Sequence, residues 1–364
     1  MSLWQRSLKQ LQRRLSVNSL KGFLSLFVVG MFLSVAVAAC SGTNQTSATG
    51  KPQNVEFTLV SFAVTRDAYK AIIPKFAEKW QQEHKQNVTV SQSYGASGSQ
   101  TRAVIDGLPA DIVHLALALD TERIAKAGLI QPGWEKEVPN NGIVSKSVAA
   151  LVTREGNPKS INTWADLEKD GVKMVTADPK TSGVARWNFV ALWNSAIITG
   201  HDEAKATEFV SKVYQNVPVL TKDAREATDA FFKQGQGDAL INYENEMVLA
   251  QQKGLKVSYT IPDVNISIDN PIAIVDNNVD KHGNREVVEA FIQYLFTPDA
   301  QTEFAKVGFR PVNETVSQTK EFAEKYPPVK TLGKIQDLGG WDVVQQKFFA
   351  DGAMFDQIQA KNKR

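Results

Sequence analysis

Strand-like and helix-like segments alternate along most of this chain, and that alternation confines it to layered α/β folds. Residues 111–118 (DIVHLALA) are a nearly unbroken apolar run, the pattern of a parallel strand covered on both faces. Upstream, residues 55–62 and 88–93 read as strands and 98–108 as a helix. Residues 65–85 carry Tyr69, Ile72, Ile73, Phe76 and Trp80 at helical spacing. After Asn157-Pro158 the pattern resumes: helix 164–168, strand 172–177, helices 183–199 and 202–215, strand 217–221. Helix 225–233, strand 238–243, helix 246–253 and strand 256–261 follow, and 285–360 reads as mostly helical. Tyr69, Phe76 and Trp80 are core by spacing; Phe189, Leu192 and Trp193 form one helical face against a sheet. About 310 residues exceed a comfortable single core, so two α/β lobes are expected. The crossings between them fall at 148–153 and 264–274. Lobe 1 is drawn over 55–149 plus 270–330 and lobe 2 over 150–269, with the C-terminal helices of 331–364 open to either.

The first forty residues are of another kind. Residues 22–39 (GFLSLFVVGMFLSVAVAA) are uncharged and apolar, and five basic residues with no acid precede them. That is the layout of a secretory signal, although eighteen residues also just reach across a bilayer. The stretch ends Val37-Ala38-Ala39-Cys40, two small residues before the one cysteine of the chain. This resembles a bacterial lipoprotein signal, which implies removal of 1–39 and a lipid on Cys40. Arg13-Arg14, followed by Leu15-Ser16-Val17, fits twin-arginine export poorly. With one cysteine there is no intramolecular disulfide. Residues 41–54 carry no large apolar side chain, so 40–54 reads as a flexible tether of roughly 20 Å root-mean-square reach. Beyond the leader, 36 Lys+Arg face 39 Asp+Glu, and a mildly acidic body argues against nucleic acid as a partner.

The chemistry of catalysis is poorly represented. His84, His114, His201 and His282 are scattered without zinc-ligand spacing. Asp276-x-Asn278-x-Asp280 opens like a calcium loop, but Lys281 and Val287 stand at its sixth and twelfth positions, so it reads as a solvated turn. Gly95-Ala96-Ser97-Gly98-Ser99 approaches a nucleophile elbow but lacks the final glycine. His114, inside an apolar strand, reads as a hydrogen-bonded core residue rather than a base for Ser97. No phosphate-binding glycine motif occurs, and no cofactor or metal is expected.

Three strand-to-helix junctions are small and rich in donors: 93–100, 178–186 and 221–225. The first four N–H groups of a helix lack intrahelical partners, and the macrodipole adds roughly half a positive charge there. Small residues let an anion reach those amides. Ordinary N-capping explains any one junction; three of them spread over two lobes point to a site between the lobes.

Residues 178–186 (DPKTSGVAR), followed by Trp187-Asn188, resemble the signature N-P-K-[ST]-S-G-x-A-R of the bacterial sulfate-binding proteins. These are the substrate-binding components of sulfate and thiosulfate ABC importers. The similarity continues through Val60-Ser61-Phe62, 92–100, 110–113, 154–159, 243–246 and Gly339-Gly340-Trp341. It implies a two-lobed periplasmic binding protein fold of type II kind, each lobe a β-sheet flanked by helices, with the ligand in the cleft. It also implies ligand contacts at Ser97 in the first lobe and at Ser182, Gly183 and Val184 in the second. Ser182 would donate its hydroxyl; Gly183, Val184 and Ala224 would donate backbone N–H. Val184 stands for a frequent glycine, and Ala63 for a frequent aspartate, leaving Ala63 its amide. Tyr243 stands where the sulfate-binding branch has an indole donor and the thiosulfate-binding branch a phenyl ring, so both anions stay open. Arg186 and Arg225 match family arginines and are expected to support the site without touching the ligand.

The resulting expectation is a lipid-tethered, monomeric solute-binding protein and not an enzyme. It would capture sulfate or thiosulfate in the periplasm and pass it to an ABC permease with its ATPase subunit. Molybdate and phosphate are rival oxyanions within the class. A membrane-anchored hydrolase using Ser97 is the alternative from another class.

Overall fold

The computed structural model describes residues 54–362. The leader, Cys40 and the tether as far as residue 53 lie outside the described residues, as do Lys363 and Arg364. The chain enters as β1 (Asn54–Phe62), passes one 3-10 turn (Ala63–Thr65) and continues as α1 (Arg66–His84). Next come β2 (Asn87–Gly95), α2 (Ser97–Ile105), β3 (Ile112–His114), α3 (Ala118–Lys126) and β4 (Ile143–Ser147). After Val148 the second lobe begins with β5 (Ala149–Thr153), β6 (Met174–Ala177), α4 (Gly183–Ile198), α5 (Glu203–Gln215) and β7 (Leu220–Thr221). It goes on through α6 (Ala224–Phe232), β8 (Ala239–Tyr243), α7 (Glu244–Gln252) and β9 (Ser258–Thr260). Strands β10 (Val264–Ile266) and β11 (Ile268–Ile274) lead back to the first sheet. The helices α8 (Asp276–His282), α9 (Arg285–Leu295), α10 (Pro298–Lys306), α11 (Glu314–Ser317) and α12 (Lys320–Lys325) follow. Then β12 (Thr331–Gly333), α13 (Gly340–Val344) and α14 (Met354–Asn362) complete the described chain.

Two five-stranded sheets result, ordered β2-β1-β3-β11-β4 and β7-β6-β8-β5-β9. In the first, β1 is parallel to β2 and β3, and β11 runs antiparallel between β3 and β4. In the second, β6 is parallel to β7 and β8, and β5 runs antiparallel between β8 and β9. Both sheets thus share one plan, parallel βα units joined to an antiparallel crossing strand. Each parallel strand ends where a helix begins, which gathers helix N-termini along the carboxyl edge of each sheet. That edge is where open α/β sheets take their ligands.

Tyr69, Phe76 and Trp80 are core, as their spacing requires. Several local expectations need correction. Of the apolar run 111–118 only Ile112–His114 is strand; Ala118 already opens α3, which buries Leu119 and Ile124. The run is apolar because the short strand and the connection Leu115–Leu117 that follows it are both buried, not because one long strand is. Strand 217–221 shrinks to β7, two residues, and 164–168 is a single 3-10 segment closed by a Thr163–Asp166 capping box. Helix α4 does not bury one face alone: every residue from Gly183 to Ala196 is buried. The second sheet covers one side and the C-terminal segment the other, where Phe189 meets Phe348 and Phe349 at ring distances of 5.3 and 5.2 Å. The calcium-like run is not a solvated turn but α8. Asp276 is buried there and accepts from the Gln131 N–H and from Arg285, both at 2.9 Å.

His114 is fully buried on β3, with Nδ1 2.7 Å from the Tyr69 hydroxyl and Nε2 3.3 Å from the Ser145 hydroxyl. It is a core residue. Burial lowers its pKa to about 3, so the folded protein keeps it neutral where the unfolded chain, near pH 6.5, already takes up a proton. Its contribution is therefore complete above pH 6.5 and is lost as pH falls, by about 1.4 kcal/mol per pH unit. Denaturant unfolding at a series of pH values should show the wild type losing stability between pH 6 and 4 more steeply than His114→Gln. Parallel profiles would contradict this.

Candidate functional site

A small cavity lies where the carboxyl edges of the two sheets meet. It is lined by Ala63, Ser97, Ser182, Gly183, Val184, Ala224 and Tyr243, the seven positions that the sequence resemblance singled out for ligand contact. Phe62, Val64, Gly95, Ala96, Ala116 and Asp223 complete the wall. Sequence reasoning gave these six no ligand contact, although Phe62, Gly95, Ala96 and Asp223 lay within stretches it singled out.

Each helix start delivers donors in its own way. At α2 the capping position is Ala96, which has no side-chain acceptor; the Gly98 N–H is taken by the Thr181 carbonyl and the Ser99 N–H by the Ala96 carbonyl, which leaves the Ser97 amide. The Ser97 hydroxyl donates to Asp120 Oδ2 at 2.7 Å and accepts from the Ala116 N–H at 3.0 Å. What Ser97 offers the cavity is thus its backbone N–H. At α4, Ser182 occupies the capping position, yet its hydroxyl caps no amide although the residue is only 4% exposed. That leaves the hydroxyl and the Gly183 and Val184 amides for the cavity. At α6, Asp223 turns its carboxylate onto the Glu226 N–H at 2.9 Å, and the Ala224 amide stays uncapped. Ala63 opens the 3-10 turn that leads into α1. The Tyr243 hydroxyl is buried and has no hydrogen-bond partner. Burial pushes its pKa well above the usual range, so it stays a phenol and a donor.

The two arginines stand behind this lining, not in it, and the charged residue of the wall, Asp223, has its carboxylate on the Glu226 N–H. Arg186 donates to the Pro179 carbonyl at 2.9 Å and faces Asp120 at 3.4 Å. Arg225 pairs with Glu246 at 2.9 Å and with Asp67 at 3.3 Å, and Lys253 also reaches Asp67 at 3.4 Å. Burial opposes the Arg225 charge, but Glu246 and Asp67 outweigh it and raise its pKa. Asp120 lies on α3 and Asp67 on α1, so both arginines tie the second lobe to the first. Sequence reasoning missed both aspartates: α3 was hidden in an apolar run, and Asp67 looks like any acid in a first helical turn. Glu246 lay within the resembling run 243–246 but carried no assigned role.

Backbone contacts close the same seam. The Gly98 N–H donates to the Thr181 carbonyl at 3.1 Å, and the Trp187 indole to the Ala116 carbonyl at 2.8 Å. Gly183 sits where a Cβ would lie 2.4 Å from Ala116 Cβ and 2.8 Å from Leu117 Cδ2, so only glycine lets the lobes meet here. Gly183→Ala should hold them apart. Small-angle scattering with excess ligand should then give a larger radius of gyration than for the wild type, and equal radii would contradict the account.

Comparisons with known proteins identify the family. The family model described as bacterial extracellular solute-binding protein matches residues 58–310. A protein named sulfate-binding protein from Synechococcus elongatus is 57% identical over 340 residues, covering 93% of this chain and 96% of that one. A thiosulfate-binding protein from Pseudomonas aeruginosa is 38% identical over 308 residues, covering 83% and 92%. The solved structure of the sulfate-binding protein SubI from Mycobacterium tuberculosis superposes with a TM-score of 0.74 at 36% identity, covering 81% of this chain and 99% of that one. A periplasmic thiamin binding protein, 16% identical with a TM-score of 0.63, shares the fold alone. The chain belongs to the bacterial extracellular solute-binding proteins, in the group made up of the sulfate- and thiosulfate-binding proteins of ABC importers.

Proposed function

We propose that this protein captures sulfate outside the cytoplasm and hands it to the permease and ATPase subunit of an ABC importer. It is a binding protein of transport and not an enzyme. The observation that carries the ligand reading is the composition of the cavity. Its lining combines helix-start backbone with two hydroxyls: that of Tyr243, buried without a partner among the described residues, and that of Ser182, which caps no amide of its own helix.

Sulfate at neutral pH is a dianion that only accepts hydrogen bonds. Bonds to an ionised acceptor are about twice as strong as neutral ones, and helix N-termini spread positive potential over several amides. In this reading Ser97, Gly183, Val184, Ala224 and Ala63 give backbone N–H, while Ser182 and Tyr243 give O–H. Arg186 and Arg225 hold the walls and do not touch the anion. Phosphate keeps a proton near neutrality and needs an acceptor. An unmade buried bond costs about 1–3 kcal/mol, or roughly ten- to a hundredfold in affinity.

Thiosulfate remains the second ligand, because Tyr243 pairs an apolar ring with an O–H. The hydrolase reading has lost its basis: the Ser97 hydroxyl bonds a carboxylate, and both His114 nitrogens face other hydroxyls. The proposal also includes a monomeric state, lobes divided near residues 149 and 270, and a lipid on Cys40 that holds the body at a membrane.

Calorimetric titration of the purified protein with sulfate, thiosulfate, phosphate and molybdate should show one-to-one sulfate binding. Ser182→Ala should weaken it by roughly ten- to a hundredfold. No heat with any of the four, from folded protein, would leave the helix starts as ordinary capped ends. The anchor is tested separately: Cys40→Ser should move the protein from the membrane to the soluble fraction, and an unchanged distribution would contradict a lipid there.

A further inference from the structure

Helix α7 begins at the residue after Tyr243, and its first turn is gripped from the side away from the cavity. Arg310, in the chain that follows α10, places Nε 2.7 Å from Oε2 and Nη2 3.0 Å from Oε1 of Glu244. This is a two-pronged ion pair, and Glu244 is only 2% exposed. Arg310 is itself fixed to the first lobe: its N–H donates to the Lys146 carbonyl on β4 at 2.8 Å, and Nη1 to the Pro327 carbonyl at 2.9 Å. Glu244 in turn donates its N–H, at 3.0 Å, to the carbonyl of Val148, the residue joining β4 to β5.

The same turn of α7 is held twice more. Gly308 has φ +104° and lies so close that a Cβ on it would be 2.5 Å from Asn245 Cα. Val248 packs with Ala305, Val316, Phe322 and Tyr326 in an apolar cluster of its own. The amino end of α7, and with it the β8–α7 junction, is therefore seated on chain between α10 and Tyr326, beyond β11. Tyr243 is the last residue of β8 and sits at that junction, its ring 6.2 Å from that of Phe62. Arg310 is not among the residues lining the cavity.

We infer that Arg310 is a positioning residue for the anion: by clamping Glu244 it fixes where Tyr243 presents its hydroxyl. The inference rests on the reading of Tyr243 as an anion donor. Arg310 supplies no bond to the ligand; it sets the place of the group that does. A lysine could not reproduce the grip in full, because a single ammonium lacks the fork that meets both carboxylate oxygens. An ion pair with a merely structural role would lower stability and would weaken anion binding alike with or without the Tyr243 hydroxyl.

A double-mutant cycle read by sulfate titration separates the two cases. Tyr243→Phe should weaken sulfate binding roughly tenfold, and Arg310→Gln should weaken it by a similar factor. The double variant should bind no worse than Tyr243→Phe alone, because the group through which Arg310 acts is gone. Equal losses from Arg310→Gln in both backgrounds, or no loss at all, would overturn the inference while leaving the sulfate assignment intact. A wild type that binds no sulfate would overturn the assignment and the inference with it. Should Arg310→Gln fail to fold, Arg310→Lys serves in the same cycle. It keeps the charge and loses the fork, and its smaller loss should again vanish in the Tyr243→Phe background.

Discussion

Taking a doubly charged anion out of water without a buried counter-charge is the demand around which this structure is arranged. An isolated buried ion is prohibitively costly, and a buried ion pair recovers that cost only when its geometry is excellent. The solution here is dispersed. The donors proposed for the anion are the amides of Ser97, Gly183, Val184, Ala224 and Ala63 and the hydroxyls of Ser182 and Tyr243, all on residues that line one cavity. None of these groups carries a full charge. Arg186 and Arg225 are near, but each is already engaged with carboxylates, Asp120 for the first and Glu246 and Asp67 for the second.

That arrangement requires both lobes at once. Neither sheet alone supplies enough helix starts, so the site exists only where the two carboxyl edges meet. The seam is correspondingly crowded: Gly98 on Thr181, Trp187 on Ala116, and Gly183 with no room for a side chain. Ser97 shows how the parts interlock. Its hydroxyl joins Asp120 to the Ala116 amide, and Asp120 then meets Arg186 across the seam. One side chain thereby orients its own helix start and a link between the lobes.

Much of this was legible in the chain itself. The βα alternation gave the α/β class, and small residues at 93–100, 178–186 and 221–225 marked helix starts with free amides. Resemblance to a known family was needed to pick out Ala63 and Tyr243, since neither an alanine nor an aromatic at a strand end signals anion contact. The partners of the arginines were not legible. Asp67 and Asp120 become meaningful only when α1 and α3 are brought against α6 and α4, a long-range arrangement with no local mark. The all-round burial of α4 was missed for a related reason: its second cover comes from Phe348 and Phe349, more than 150 residues away in sequence. Asp276 misled in the opposite direction, because Asp276, Asn278 and Asp280 at alternate positions look solvated until Arg285 and the Gln131 amide are found against Asp276.

The claim on which everything turns is that neutral donors alone hold the ligand, and a crystal structure of the sulfate complex tests it most directly. The account predicts sulfate in the cavity between Ser97 and Ser182, its oxygens accepting from the α2, α4 and α6 amides and from the Ser182 and Tyr243 hydroxyls, while Arg186 and Arg225 keep their carboxylate partners. A guanidinium swung onto the anion, or sulfate bound elsewhere with the cavity left to water, would contradict it.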